Sequence, residues 1–306
     1  MLRSVILAAS RSARVERLVE TAPFTRGAVR RFVAGTTTDD ALRVSGELTA
    51  DGMAVSLDHL GEDTVTPEQA GAVRAEYVTL LGALAAAGYT PAAEVSVKLS
   101  ALGQRFDEQV AYDHARAICA AAAEAGTTVT LDMEDHTTTD STLDILAKLR
   151  GDFPGTGAVL QAYLRRTEAD CRDLATAGSR VRLCKGAYKE PESVAYQSGL
   201  EVDRSYVRCM NVLLAGGGYP MLATHDPRLI AIAEDRAHWF DRGAGEFEFQ
   251  LLYGVRPEEQ ARLRDEGYTV RVYVPYGDDW YGYLMRRLAE RPANLAFFAR
   301  ALTSRR

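Results

Sequence analysis

The sequence predicts a (βα)₈ barrel preceded by a helical arm. Three observations carry this reading. Eight short runs rich in β-branched and aromatic residues recur from about residue 53. Alanine-rich stretches of helical pattern separate them, and no change in composition divides residues 46–306 into two domains. An open doubly wound sheet would share the alternation, but it lacks its usual marker, a Gly-x-Gly-x-x-Gly after the first run.

In chain order, residues 1–45 read as a separate helical arm, with eight arginines against four acidic residues, while the rest is net acidic. The strand candidates are "MAVSLDHLGE", "AEVSVKLSAL", "TTVTLDMED", "AVLQAYLRR", "RVRLCKGAY", "YPMLATHD", "FEFQLLYG" and "TVRVYVPYG". Helical stretches such as "PEQAGAVRAEYVTLLGALAAAG" and "DHARAICAAAAEAG" lie between them, the second closed by Gly126 as a C-cap signal. The last helix, "WYGYLMRRLAERP", stops at Pro292. On it Tyr283 lies beside Arg286 and Arg287, and both arginines reach Glu290. A solvated ion pair is the commoner reading of that spacing and a clamp for a small carboxylate the sharper one, and the helix alone leaves both open.

Bulk composition narrows the function. The chain of 306 residues is 47% apolar, with ample material for a core. A net charge of −6 and a pI near 5.5 argue against a nucleic-acid partner. Cys119, Cys171, Cys184 and Cys209 are scattered with no Cys-x-x-Cys, which fits a reducing cytoplasm. The run "VILAA" is too short for a signal-peptide core, and no eighteen apolar residues run unbroken, so no membrane span is expected. The five histidines form neither His-x-His nor His-Glu-x-x-His, and no metal is expected.

In such a barrel the chemistry collects at the C-terminal ends of the strands. Polar residues mark those ends: Asp58 and Glu62, Lys98, Asp132 and Glu134, Gln161 and Tyr163, Arg182 and Lys185, Thr224 and His225, Gln250, then Arg271 and Tyr273. Burying so many polar groups without a ligand would cost roughly 1 to 3 kcal/mol for each unmatched one. Lys98 and Lys185 are both placed for a Schiff-base aldolase. Each has a candidate anionic partner that would keep it charged, Lys98 with Asp132 foremost. "RLCKGAY" followed one strand later by "LATHD" suits a dinucleotide cofactor, although a glycine-bearing strand-to-helix turn with lysine also occurs without one.

The motifs "SVKLSAL", "LDMED", "LQAYL", "RLCKGAY", "ATHD", "EFQLLYG" and "RVYVPYGDDWYGYLMRRLAERPAN", in this order over residues 50–300, resemble those of the proline dehydrogenase family. The resemblance covers flavin enzymes that also form one domain of bifunctional proline utilisation proteins. It implies a distorted TIM-type barrel whose last helix lies over the barrel top. It also implies FAD as cofactor and oxidation of L-proline to Δ1-pyrroline-5-carboxylate, with electrons passed to a membrane quinone. Carried onto this chain, the pattern gives Asp132 and Arg182 catalytic positions, with Arg182 near the flavin N5. Met133, Gln161, Lys185, Gly186, Ala187, Thr224 and His225 join Arg182 as flavin contacts. Lys98, Tyr273, Tyr283, Leu251, Arg286 and Arg287 form the substrate pocket. Glu62 and Glu290 pair with the arginines, Glu62 as part of a gate. Lys189 departs from the tryptophan of some members, which leaves the adenine side undefined, and the arm matches the family poorly. The resemblance also implies a cytoplasmic protein, peripheral to the inner face of the membrane. Δ1-pyrroline-5-carboxylate dehydrogenase is then its metabolic neighbour.

Overall fold

In the computed structural model, which describes residues 29–61 and 64–290 with side chains through residue 285, eight parallel strands close a barrel in sequential order. The strands are β1 (Ala54–His59), β2 (Ala93–Val97), β3 (Val129–Leu131), β4 (Gly157–Gln161), β5 (Arg180–Cys184), β6 (Tyr219–Ala223), β7 (Glu248–Leu252) and β8 (Thr269–Tyr276). Each overlaps one of the runs read from the sequence. The helices are α1 (Thr38–Ala50), α2 (Pro67–Ala86), α3 (Glu108–Glu124), α4 (Thr139–Asp152), α5 (Thr167–Leu174), α6 (Gly199–Ala215), α7 (Pro227–Trp239), α8 (Pro257–Asp265) and α9 (Trp280–Glu290). The barrel is uneven: β3 has 3 residues and meets β4 at Thr130 opposite Gly157 and Leu131 opposite Ala158, whereas β8 has 8 residues and runs along the whole of β1.

Local chemistry sets the helix ends. Thr37 and Asp40 bond each other's backbone amides to open α1, and Thr66 and Gln69 do the same for α2, where Pro67 occupies the first turn. Asp107 accepts from the amides of Gln109 and Val110 to start α3. Gly126 follows that helix at φ +72°, the left-handed conformation expected of it.

Strand alternation sorts the side chains into two sets. Outward residues are apolar: Val95, Val97 and Leu131 meet Leu80, Leu81, Leu84, Ile118 and Leu146 in one cluster, and Val181, Leu183 and Phe249 meet Tyr206, Met210 and Ile230 in another. Each such fully buried side chain contributes about 1.5–3 kcal/mol. Many inward residues are polar, with Val159 and Met221 among the exceptions beside Arg182. At the N-terminal end of the barrel, Arg180 lies 2.6 Å from Glu94, and Arg271 lies 2.8 Å from Glu248 and 3.7 Å from Glu94. The sequence reading placed Arg271 at the C-terminal mouth. It lies instead opposite Ala54, the first residue of β1, because β8 begins low in the barrel and Arg271 is only its third residue.

The last helix leaves the outer ring. Tyr281, Tyr283, Leu284 and Met285 of α9 are buried with Leu60 beyond β1 and Val255 beyond β7, so α9 lies over the C-terminal end of the barrel, as expected. Phe32 and Val33 join the same cluster, and the Ala34 amide bonds the Pro275 carbonyl at the end of β8. Most of the expected 1–45 arm lies outside the described residues; its final part enters α1, whose Ala41 and Val44 pack on the barrel and which continues to Ala50.

Burial would raise the Glu94 carboxyl, but Arg180, Arg271 and Arg182 outweigh it and hold it down to about 2, against an ordinary 4.5. A depressed carboxylate contributes stability above its unfolded pKa and loses it as pH falls through the folded one. Glu94→Gln should therefore destabilise by about 3 kcal/mol at neutral pH. In paired unfolding curves, the gap from wild type should narrow as pH falls from 4.5 toward about 2. A gap independent of pH would mean that the charge of Glu94 is not what stabilises the barrel.

Candidate active site

The middle of the barrel is organised around one buried guanidinium. Arg182, 4% exposed on β5, donates from Nη1 to Asp132 Oδ1 (2.7 Å) and Ser96 Oγ (2.8 Å), from Nη2 to Ser56 Oγ (3.1 Å), and from Nε to Gln250 Oε1 (2.5 Å). These partners come from β1, β2, β7 and the end of β3, so the arginine spans the barrel interior. Its charge lies 5.2 Å from the centroid of the Tyr273 ring, and the Tyr273 hydroxyl donates to Asp132 Oδ2 at 2.7 Å. Burial raises the Tyr273 phenol well above its ordinary value, with the Asp132 and Asp58 carboxylates adding to it, so the group stays a donor.

One layer closer to the mouth, Lys98 Nζ contacts both oxygens of Asp58 at 2.7 Å and lies 3.7 Å from Asp132 Oδ2. The lysine pairs most closely with Asp58, and the Asp132 pair expected from the sequence is present as the longer of the two. Arg182 and Tyr273 already occupy the two Asp132 oxygens. Lys185 Nζ is likewise bracketed, 2.5 Å from Asp203 and 3.0 Å from Asp226. Arg228 holds the Asp226 carboxyl well below the usual range, against burial that would raise it, and Lys185 adds to the effect. A Schiff-base lysine must present a neutral nitrogen. Both candidates are instead engaged by paired carboxylates.

The β5 rim carries the expected cofactor residues. Gly186 has φ +111°, and a Cβ there would lie 2.3 Å from the Tyr163 ring, so this turn admits glycine alone. Ala187 and Lys189 beside it are exposed. Gln161 Nε2 donates to the Glu134 carbonyl at 2.7 Å, fixing the amide between β4 and the turn after β3 that holds the buried Met133. His225 Nε2 accepts from the Leu252 amide at 2.9 Å, which puts the proton of the neutral ring on Nδ1. Thr224 Oγ1 accepts from the Asp226 amide at 3.2 Å. A cation in the barrel, a lysine and a glycine turn at one rim, and an oriented amide and imidazole on its neighbours form a donor set that suits a flat, anionic cofactor.

The fold thus gathers Lys98, Asp132, Arg182 and Tyr273, with Gln161, Lys185, Gly186, Thr224 and His225 at the rim. Leu251 does not join them. Gln250 points inward to Arg182, so alternation turns Leu251 outward into the apolar layer with Phe249, while Leu252 packs near Tyr281 and Tyr283 under α9. Tyr283 is buried in the helix that covers the mouth. Glu62 and the side chains of Arg286, Arg287 and Glu290 lie outside the described residues. The sequence marks Asp58 and Gln250 as polar strand-end residues without giving them a role, and it does not single out Ser56 or Ser96. Their signal was modest, a polar residue at an inward position of an otherwise apolar strand.

Residues 41–300 match the family model described as proline dehydrogenase. Over 302 residues and 99% of both chains, the sequence is 38% identical to "Proline dehydrogenase 1" of Bacillus subtilis. It is 39% identical over 307 residues, 99% of this chain and 98% of the other, to "Proline dehydrogenase" of Deinococcus radiodurans. Among solved structures, proline utilization A (PutA) from Bdellovibrio bacteriovorus, inactivated by N-propargylglycine, superposes with a TM-score of 0.82 at 27% identity, over 92% of this chain and 34% of that one. This chain therefore spans about a third of that larger protein. An arginine-centred eight-stranded barrel capped by its last helix, matched along nearly its whole length by these relatives, belongs to the proline dehydrogenase family.

Proposed function

We propose that this protein is a flavoenzyme that oxidises L-proline to Δ1-pyrroline-5-carboxylate, the first step of proline catabolism. The observation that carries the reading is Arg182, a cation held on the barrel interior by Asp132, Gln250 and two serines, in a chain of this family. FAD, when bound, would supply the two-electron acceptor for oxidation at proline C5. Arg182, Gln161, Met133, Lys185, Gly186, Ala187, Thr224 and His225 are the residues assigned to hold it. The positive charge of Arg182 stabilises negative charge that develops on the cofactor during the reaction, and its buried partners keep it from reorienting.

The substrate side is assigned to Lys98, Tyr273, Tyr283, Leu252 in place of Leu251, and the α9 arginines. Asp58 holds the Lys98 ammonium in place, and Asp132 serves both Lys98 and Arg182. Arg286 and Arg287 take the proline carboxylate, with Glu290 orienting one of them and Glu62 closing over the substrate against Arg286. Tyr283 on α9 and Leu252 beneath it exclude water from the ring. The electron acceptor is assigned as a membrane quinone reached by peripheral contact, as the family resemblance implies. The product is an imine whose hydrolysed aldehyde form is the substrate of an aldehyde-oxidising Δ1-pyrroline-5-carboxylate dehydrogenase.

Purified protein should be yellow, and anaerobic L-proline should bleach its visible absorbance. A colourless protein in which borohydride traps a carbonyl substrate on Lys98 or Lys185 would replace this reading with the aldolase one.

Lysine should not substitute for either α9 arginine, because an ammonium cannot make a planar two-point contact with a carboxylate. Losing one charge-assisted hydrogen bond should weaken apparent proline affinity about tenfold to a hundredfold in Arg286→Lys and Arg287→Lys. Pyrrolidine, which lacks the carboxylate, should be turned over equally poorly by wild type and variants. Equal proportional losses with both compounds would assign the arginines to holding the helix.

A further inference from the structure

The arginine on which the proposed chemistry depends is held by an amide that has only one workable orientation. Gln250 points inward from β7 and is 3% exposed. Its Oε1 accepts from Arg182 Nε, and its Nε2 donates to Glu248 Oε1, both at 2.5 Å. An arginine Nε can only donate and a carboxylate can only accept. The flipped amide would set donor against donor and acceptor against acceptor, so Glu248 decides which end of Gln250 faces Arg182. Glu248 is fixed in turn by Arg271, whose Nε and Nη2 donate at 2.8 and 3.2 Å, and by the Tyr219 hydroxyl at 3.4 Å. A chain of matched donors and acceptors thus runs from the N-terminal ion layer up to the centre of the barrel.

The remaining contacts of Arg182 hold its outer end, where Ser96, Asp132 and Ser56 meet Nη1 and Nη2. A guanidinium held at its tip alone can still pivot. A bond on Nε, at the opposite edge of the same plane, stops that rotation. We propose that Gln250 is a positioning residue for the flavin reaction, fixing the plane of the Arg182 guanidinium through an amide that Glu248 and Arg271 orient from below. The proposal rests on the reading that Arg182 faces the flavin N5; Gln250 itself is not assigned a cofactor contact.

The test is a double-mutant cycle on the FAD-loaded proteins: wild type, Gln250→Leu, Arg182→Met and the double variant. The readouts are sulfite affinity at the flavin and its midpoint potential, both set by positive charge near N5, beside the rate of anaerobic reduction by proline and the melting temperature. Gln250→Leu should weaken sulfite binding and slow reduction by about tenfold or more, with a lowered potential, as expected for loss of a charge-assisted contact. In the Arg182→Met background it should change none of the three. Because Gln250→Leu leaves Arg182 Nε without its acceptor and could fail to fold, Gln250→Met, of nearly the same length and volume, is the second variant. It removes the amide oxygen without adding charge, so it should weaken sulfite binding, slow reduction and lower the potential as Gln250→Leu does; unchanged sulfite affinity and potential in a folded Gln250→Met would overturn the proposal. Equal effects of Gln250→Leu in both backgrounds, or a lower melting temperature with unchanged sulfite affinity and potential, would overturn the proposal. If Arg182→Met alone leaves sulfite affinity and potential unchanged, the reading of Arg182 fails first, and the role of Gln250 falls with it.

Discussion

A positive charge buried inside a closed barrel must be compensated from every side, and this requirement shapes the interior of the molecule. Desolvating a guanidinium costs several kcal/mol unless its hydrogen bonds and charge are matched. Arg182 meets the condition with two serines and a glutamine from three other strands and an aspartate directly after a fourth. Those strands must keep their register for the partners to coincide. A slip of one residue in any of them would turn the partner outward into the apolar layer. The barrel and the arginine therefore specify each other.

Below that centre, the Glu94, Arg180, Glu248 and Arg271 layer replaces the branched apolar residues that usually fill such a barrel. A hydrophobic layer of equal volume would be as stable or more so. What it would lack is a carboxylate at the position of Glu248 to orient Gln250, and hence an oriented acceptor for Arg182. Above the centre, Lys98 and its two carboxylates carry the polar column to the mouth, and the aromatic residues of α9 close over it. Polar contacts thus run along the barrel axis while apolar packing against the helices supplies most of the stability.

The fold was largely legible in the sequence because strands and helices announce themselves locally. All eight runs overlap strands, and Gly126 closes α3 as its left-handed φ requires. Contacts across the barrel are not local, and there the reading slipped. Lys98 meets the expected Asp132 from the neighbouring strand, but its closer partner is Asp58; which of two inward carboxylates a lysine meets most closely depends on shear and height, which no single strand records. Arg271 was raised to the mouth because the starting height of β8 cannot be read from its own residues. Leu251 belongs to the apolar layer and not to the pocket because Gln250 faces Arg182, and two adjacent leucines in "QLLYG" do not show which of them faces inward.

The proposal that the barrel holds Arg182 against a bound flavin is tested most directly by a crystal structure of the FAD-loaded protein with a carboxylate-bearing proline analogue. The account predicts the Arg182 guanidinium beside the flavin N5, with its bonds to Asp132 and Gln250 retained. A flavin seated away from Arg182, or an Arg182 that abandons Asp132 and Gln250 when the cofactor binds, would contradict it.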